Sequence, residues 1–286
     1  SVTGVQTCAL PILKYAKTEL APYRVRMSAD VFGIITHSWD DKPEDIGQTW
    51  RKIANQVDYI CPMIYPSHYG TGLYGFAVPD QHPYEVVRFA LLEAIERNAA
   101  QKKPGIIRPW VQGFNASWVK GHINYDAETI SAQLAAAMEL GIDEYIVWNA
   151  SNHYDPMTFF YHDRIDRNIR QEGEDILSRT PQAALDKYLD AEKNRRYSLL
   201  YLLTPITERQ EDYDAFAAEA EKNSSVLKSY KITGIDKNED GSYSAAVEAV
   251  HSNATESGIK REVLYKIILE NEVYKVIRTE SDGNAE

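Results

Sequence analysis

The sequence predicts an α/β fold in its first half, a partial (β/α)8 barrel of about the last four βα units, followed by a small α+β domain with an antiparallel sheet. Three observations predict it. From Leu13 to about His162, short apolar runs alternate with amphipathic helical stripes. The starts of those runs, Val25, Val57, Ile106 and Glu144, lie 32, 49 and 38 residues apart, a spacing that suits barrel units of roughly 30 residues before insertions. After Thr180 the pattern changes to helices and then to alternation with a period of two.

In chain order, Val25 to Phe32, Val57 to Tyr65, Ile106 to Phe114 and Glu144 to Trp148 each read as a buried parallel strand, because a strand covered on both faces shows an unbroken apolar run. Between them, Ile46, Trp50, Ile53 and Val57 recur at helical spacing, as do Tyr84, Val87, Leu91 and Ile95. A third helix runs from an Asp126 N-cap through Ile130, Leu134 and Met138 to Gly141, a residue suited to a left-handed helix stop. Alternation of this kind also fits an open doubly wound sheet. The barrel is favoured by where the unusual residues fall. Asp30, Tyr65 with His68, Trp110 with Gln112, and Trp148 with Asn149 all follow the C-terminal ends of strands, and a barrel gathers those ends around one mouth.

The second half divides similarly. The charged stretch Asp163 to Arg179 reads as a helical linker or last barrel helix, and Thr180-Pro181 as an N-cap followed by proline at the first helical position. Leu185, Tyr188 and Leu189 form one stripe, and a further helix covers about Glu208 to Lys222. Tyr243, Ala245, Val247 and Ala249 then alternate with polar neighbours, as do Val263, Tyr265, Ile267 and Leu269, before Glu270-Asn271-Glu272 turns into Val273 to Arg278. The expected organisation is a barrel half over 13–165, a linker over 166–179 and an α+β domain over 180–280.

With 286 residues, 44% of them hydrophobic, the chain can bury one large or two modest cores. A net charge of -11 argues against a phosphate-backbone partner, since nucleic-acid binders need a basic face. No window reaches the roughly 18 apolar residues of a membrane span. Residues 2–12, VTGVQTCALPI, resemble the conceptual translation of a sequencing adapter: they have neither the basic start nor the small-residue cleavage site of a signal peptide. Fold reasoning therefore starts at Leu13, and the natural residues before it are expected to be missing. Setting Cys8 aside leaves Cys61 without an intramolecular disulfide partner.

Five ordered blocks carry a resemblance: ELAPYRVRMSADVFG (Glu19 to Gly33), VDYICPMIYPSHYGTGLYG (Val57 to Gly75), HPYEVV (His82 to Val87), IRPWVQGF (Ile107 to Phe114) and GIDEYIVWNASNHY (Gly141 to Tyr154). They resemble a bacterial glycoside-hydrolase-like family, itself similar to α-amylase-type barrels. The resemblance implies a barrel, a carbohydrate substrate, no cofactor, and a place outside the cell or on its envelope. It also implies an upstream strand ending in a motif like F-D-Y-x-R-F-P, whose aspartate is a candidate catalytic carboxylate. That motif is absent here, so the fragment is expected to be inactive without the N-terminal half of its barrel. The tail from about Thr180 to Ile277 more loosely resembles the cone-shaped nuclear-transport-factor-like and SnoaL-like domains, by element order alone, which implies an accessory module.

Glycoside hydrolysis needs two carboxyl groups flanking the scissile bond. Asp30, ending the first strand, is the one candidate, as general acid or positioning carboxylate; its other reading is a strand-end acceptor of backbone N–H groups. Sugar sites join aromatic platforms to amides and short polar groups. Tyr65, Trp110 and Trp148 are candidates for the platforms, and His68, Gln112 and Asn149 for the polar contacts. Each aromatic alone fits ordinary core equally well. Trp39, Asp40 and Asp41 sit in the loop after the first strand and are candidate rim residues, with solvated loop as the blander reading.

Other motifs fail their context. Gly70 to Gly75 fits G-x-G-x-x-G but runs into Phe76-Ala-Val-Pro79 instead of opening a helix, so it reads as an active-site loop. Asp236 to Gly241 copies half a calcium loop, yet the position requiring a bidentate glutamate is Val247, which leaves a hairpin turn. The sequons Asn115-Ala-Ser117 and Asn253-Ala-Thr255 are short enough to arise by chance. No zinc spacing, P-loop or nucleophile elbow is present, and no metal is expected.

Overall fold

The structure, a computed structural model, describes residues 2–38, 46–159, 171–210, 212–223, 225–253 and 257–279. Trp39, Asp40 and Asp41, and linker residues 163–170, lie outside the described residues. The chain forms two compact units, Ser1–Ile169 and Arg170–Glu286. The first holds a parallel sheet and the second an antiparallel one.

The first unit begins with helix α1 (Val2–Leu20), which carries Pro11 within it and leaves Ile12 and Tyr15 largely exposed. Strand β1 (Ser28–Phe32) follows, then the short helix α2 (Trp50–Ala54), β2 (Tyr59–Ile64), helix α3 (Pro83–Ala99), β3 (Ile106–Ile107), β4 (Trp110–Gln112), helix α4 (Ala127–Glu139) and β5 (Ile146–Trp148). The run from Ile106 to Phe114, expected as one strand, is two short ones, because Arg108-Pro109 interrupts it: proline has no N–H to give the ladder. Both pieces pair with β2. The N-cap expected at Asp126 forms, with its side chain accepting from the Thr129 N–H, and Gly141 adopts φ +76 beyond the helix end.

Strand order follows the chain, β1, β2, β3 and β4, then β5, with every pairing parallel. The helices cover one face. Val31, Ile60 and Ile64 point into a core with Trp50, Ile53 and Ala54 of α2, Val86, Val87, Ala90, Leu91 and Ala94 of α3, and Ala136 and Ala137 of α4. Each larger aliphatic buried there contributes about 1.5–3 kcal/mol. Alternation of side chains places Asp30, Cys61, Met63, Trp110 and Trp148 on the opposite face. An open doubly wound sheet reverses strand order and carries helices on both faces; among the described residues this sheet does neither.

The second unit opens on a correction. Residues 171–179, expected as helix, form turns with Gly173 at φ +85 and Ser178 at φ +55. The cause is Asp175, which is buried and accepts from the N–H groups of Leu177 and Arg179, from the Arg179 guanidinium at 2.8 Å, and from Tyr274 N–H in the last strand. A buried carboxylate so surrounded fixes the chain more firmly than helix propensity would. Helices α5 (Pro181–Lys193), α6 (Tyr197–Leu203) and α7 (Tyr213–Lys222) follow, and Thr180 caps α5 through the Ala183 N–H.

The four strands of this unit, β6 (Val226–Lys237), β7 (Tyr243–Ser252), β8 (Ser257–Glu270) and β9 (Val273–Thr279), form an antiparallel meander. Ala245, Val247, Ala249, Val263, Tyr265 and Ile267 alternate into its core as expected, while Leu269 is exposed. The half calcium motif is a hairpin: the Asp240 carboxylate binds the Ser242 N–H and hydroxyl, and these with Lys266 hold its pKa down at about 2. Asn271 and Glu272 both take positive φ, the conformation a tight hairpin demands.

Gly33 follows β1 directly, where a Cβ would stand 2.5 Å from the Met63 carbonyl oxygen and 2.6 Å from the Tyr69 hydroxyl. Gly33→Ala is expected to cost about 1–3 kcal/mol, read as a lower urea midpoint. Gly70→Ala, where an added Cβ meets nothing within 4 Å, should leave the midpoint unmoved.

Candidate functional site

The polar face of the parallel sheet and the loops beyond its C-terminal ends carry the candidate residues. Asp30 accepts the Trp110 indole N–H at 2.8 Å, so the indole reaches across β2 to link β1 with β4. Trp110 meets Trp148 edge to face, with ring centroids 5.8 Å apart. Tyr65 is nearly buried and packs edge to face on His68 and Phe114. Burial pushes its hydroxyl up to about 12, with a smaller contribution from the negative charge of Asp30.

A cavity of about 760 Å³ opens beside these residues, lined by Tyr65, His68, Phe114, Trp118, Trp148 and Asn149. Its size falls in the range of small-molecule sites. Asp126 and Asp155 also reach its wall. Of the residues the sequence singled out, Tyr65, His68, Trp148 and Asn149 line this cavity; Asp30, Trp110 and Gln112 do not. Trp110 meets the cavity-lining Trp148 edge to face, and Asp30 is bonded to Trp110.

The two amides act differently from free sugar ligands. Gln112 is fully buried. Its Oε1 accepts from the Ser67 N–H and hydroxyl, and its Nε2 donates to Asp80 at 3.1 Å and to the Phe114 carbonyl at 3.0 Å. Its backbone exchanges two further bonds with the Gln133 amide. Asp80, also buried, takes the Ile123 N–H on its second oxygen. Gln112 therefore ties β4 to the turn that presents His68 and to the turn just before α3. Asn149 donates to the Gly113 and His153 carbonyls and accepts from Ser151 N–H and hydroxyl, which closes the loop after β5. Both shape the cavity with amides already engaged. Gly113 permits the close approach there, since a Cβ would lie 2.7 Å from Val147 and 3.0 Å from the Trp148 oxygen.

The loop Gly70 to Gly75, expected over the site, does not line the cavity. Tyr74, at φ +53, donates to Glu93 at 2.7 Å, and the same carboxylate meets His37 Nδ1 at 2.9 Å. Its glycines at φ +89 and +84 make that path possible.

Sequence reasoning passed over Phe114, Trp118 and Asp155. Phe114 and Trp118 stack at 6.1 Å and 21°, and Trp118 is 67% exposed. A tryptophan in a polar loop four residues past a strand-end phenylalanine was the available signal. Asp155 gave none, because only the return of the chain after β5 brings it to the wall. Among the described residues no cluster of His, Cys, Asp and Glu is arranged to hold a metal ion, and no helix is long and apolar enough to cross a membrane.

The parallel strand ends and the loops beyond them bring stacked and edge-on aromatics, two carboxylates and the tethered Asn149 amide to one cavity on an α/β scaffold. The chain belongs to the family described as "Putative glycosyl hydrolase domain", whose model matches residues 7–154, just over half its length. That match starts within the adapter-like segment and ends among the residues that shape the cavity. No curated protein and no solved structure matches the chain.

Burial holds the His68 pKa below its ordinary 6.5, partly opposed by the charge of Asp80. A depressed folded value means that the unfolded chain takes up the proton first. The stabilising contribution of neutral His68 is thus complete above 6.5 and is lost as pH falls through that value toward the folded one. All five tryptophans lie in the first unit, so fluorescence-detected urea unfolding reads it. Its midpoint should fall with pH below about 6.5, less steeply in His68→Gln.

Proposed function

We propose that this chain is the C-terminal half of a glycoside hydrolase barrel that cleaves an envelope or extracellular polysaccharide, with Asp30 as one of two carboxylates. The observation that carries the reading is the one-sided sheet. Five short parallel strands follow chain order, helices cover one face, and the other face presents Asp30, Trp110 and Trp148 beside a cavity of sugar-binding composition. A barrel interior has this character, and barrel enzymes act at the C-terminal ends of their strands. Half-exposed Phe32 and Trp148 on the open face, with β1 and β5 at the sheet margins, support a requirement for further strands. The isolated fragment, with Asp30 and no F-D-Y-x-R-F-P aspartate, is inactive in this reading. The second unit serves as an accessory module of the nuclear-transport-factor-like kind, a role its three helices and four-stranded meander support.

A non-catalytic carbohydrate-binding or envelope-assembly role draws on a different observation: Asp30 is engaged by Trp110 and does not line the cavity. The two readings separate in one experiment. In the complete barrel, Asp30→Asn should lower turnover of a cleaved polysaccharide by about 10²-fold or more, with glycan affinity kept. Trp118→Ala should instead weaken affinity by about tenfold. Unchanged turnover in Asp30→Asn removes it from the mechanism; binding without any turnover in the complete protein favours the second reading.

A further inference from the structure

The cavity beside Trp118 has a charge character that follows from its wall. Its described lining contains no lysine and no arginine, and its two charged side chains at neutral pH are the carboxylates of Asp126 and Asp155, with His68 and His153 as the only other ionisable groups besides tyrosines. Burial keeps His68 toward its neutral form. Asp126 titrates below the ordinary carboxylate range, chiefly because the Thr129 N–H binds it at the start of α4. Asp155 accepts the Met157 N–H at 2.9 Å. Beside them stand the exposed faces of Trp118 and Trp148. Indole faces attract cations through the ring quadrupole, and that attraction adds to the pull of a carboxylate.

We propose that this cavity selects glycans bearing free amino groups, of the glucosamine type, over N-acetylated or neutral ones, and rejects uronate-containing or sulfated ones. The proposal rests on the carbohydrate reading above and specifies the substrate class. An ammonium on a ring stacked against Trp118 or Trp148 meets carboxylates and aromatic faces. A uronate carboxylate in the same position meets two like charges with no described cation to balance it.

The test is a titration of the purified full chain at low salt, followed by tryptophan fluorescence, with three oligosaccharides of equal length: β-linked glucosamine, its fully N-acetylated counterpart, and galacturonate. The amine form should bind about tenfold tighter than the acetylated one, a difference of about 1.4 kcal/mol, and galacturonate weakest. Raising the salt should shrink the preference. Asp126→Asn with Asp155→Asn should remove most of it; asparagine caps a helix as well as aspartate does, so α4 keeps its start. Asp155→Asn alone, at the start of the short 3-10 turn Pro156–Phe159 where asparagine can also accept the Met157 N–H, should remove part. Equal or tighter binding of the acetylated or galacturonate oligomer overturns the proposal and leaves the carbohydrate reading standing, as does a preference that survives the double substitution. Binding of none of the three overturns both.

Discussion

Helix cover on one side only is the constraint on which the rest of the first unit depends. Helices α2, α3 and α4 supply enough apolar surface to close one face of the parallel sheet, and the side-chain period of two sends every other strand residue to the opposite face. That opposite face holds an aspartate, a cysteine, a methionine and two tryptophans. The same alternation thus makes the helix-covered core and sends Asp30, Trp110 and Trp148 to the other face.

Keeping the open face ordered requires polar groups that are paired elsewhere. Gln112 is the clearest case. Placed at the end of β4, where an unpaired amide would cost about 1–3 kcal/mol for each buried group left unsatisfied, it is bonded to Ser67, Asp80 and Phe114, and its backbone to Gln133. Through these bonds one side chain positions the turn that holds His68 and the loop that leads toward Trp118. Asn149 plays the same part for the loop after β5. The cavity is built from loops, but its loops are tethered to strand ends.

The second unit follows a parallel logic on a separate core. Asp175 gathers donors from its own turn and from β9, and thereby settles the path of 171–179 against its charged, helix-like composition. Helix α6 and strand β6 were not legible in the sequence for opposite reasons. Residues Tyr197 to Leu203 are apolar on nearly every side and show no period, while the alternation of β6 is broken by bulges after Leu227 and Ile232.

What the sequence determined by itself is what local chemistry enforces: the caps at Asp126 and Thr180, the positive φ at Gly141, the period-two meander, the parallel-strand runs, and the family to which 7–154 belongs. These need only near neighbours, or residue order, to be read. Only the tertiary structure decided which candidate residues share a cavity. Asp30 and Trp110 meet across an intervening strand, Gln112 turns from ligand candidate to tether, and Asp155 arrives at the wall from a loop with no motif. Those outcomes depend on register between strands and on where each amide finds its partners. Distances across the sheet are fixed by packing of the whole unit, and no run of neighbouring residues encodes them.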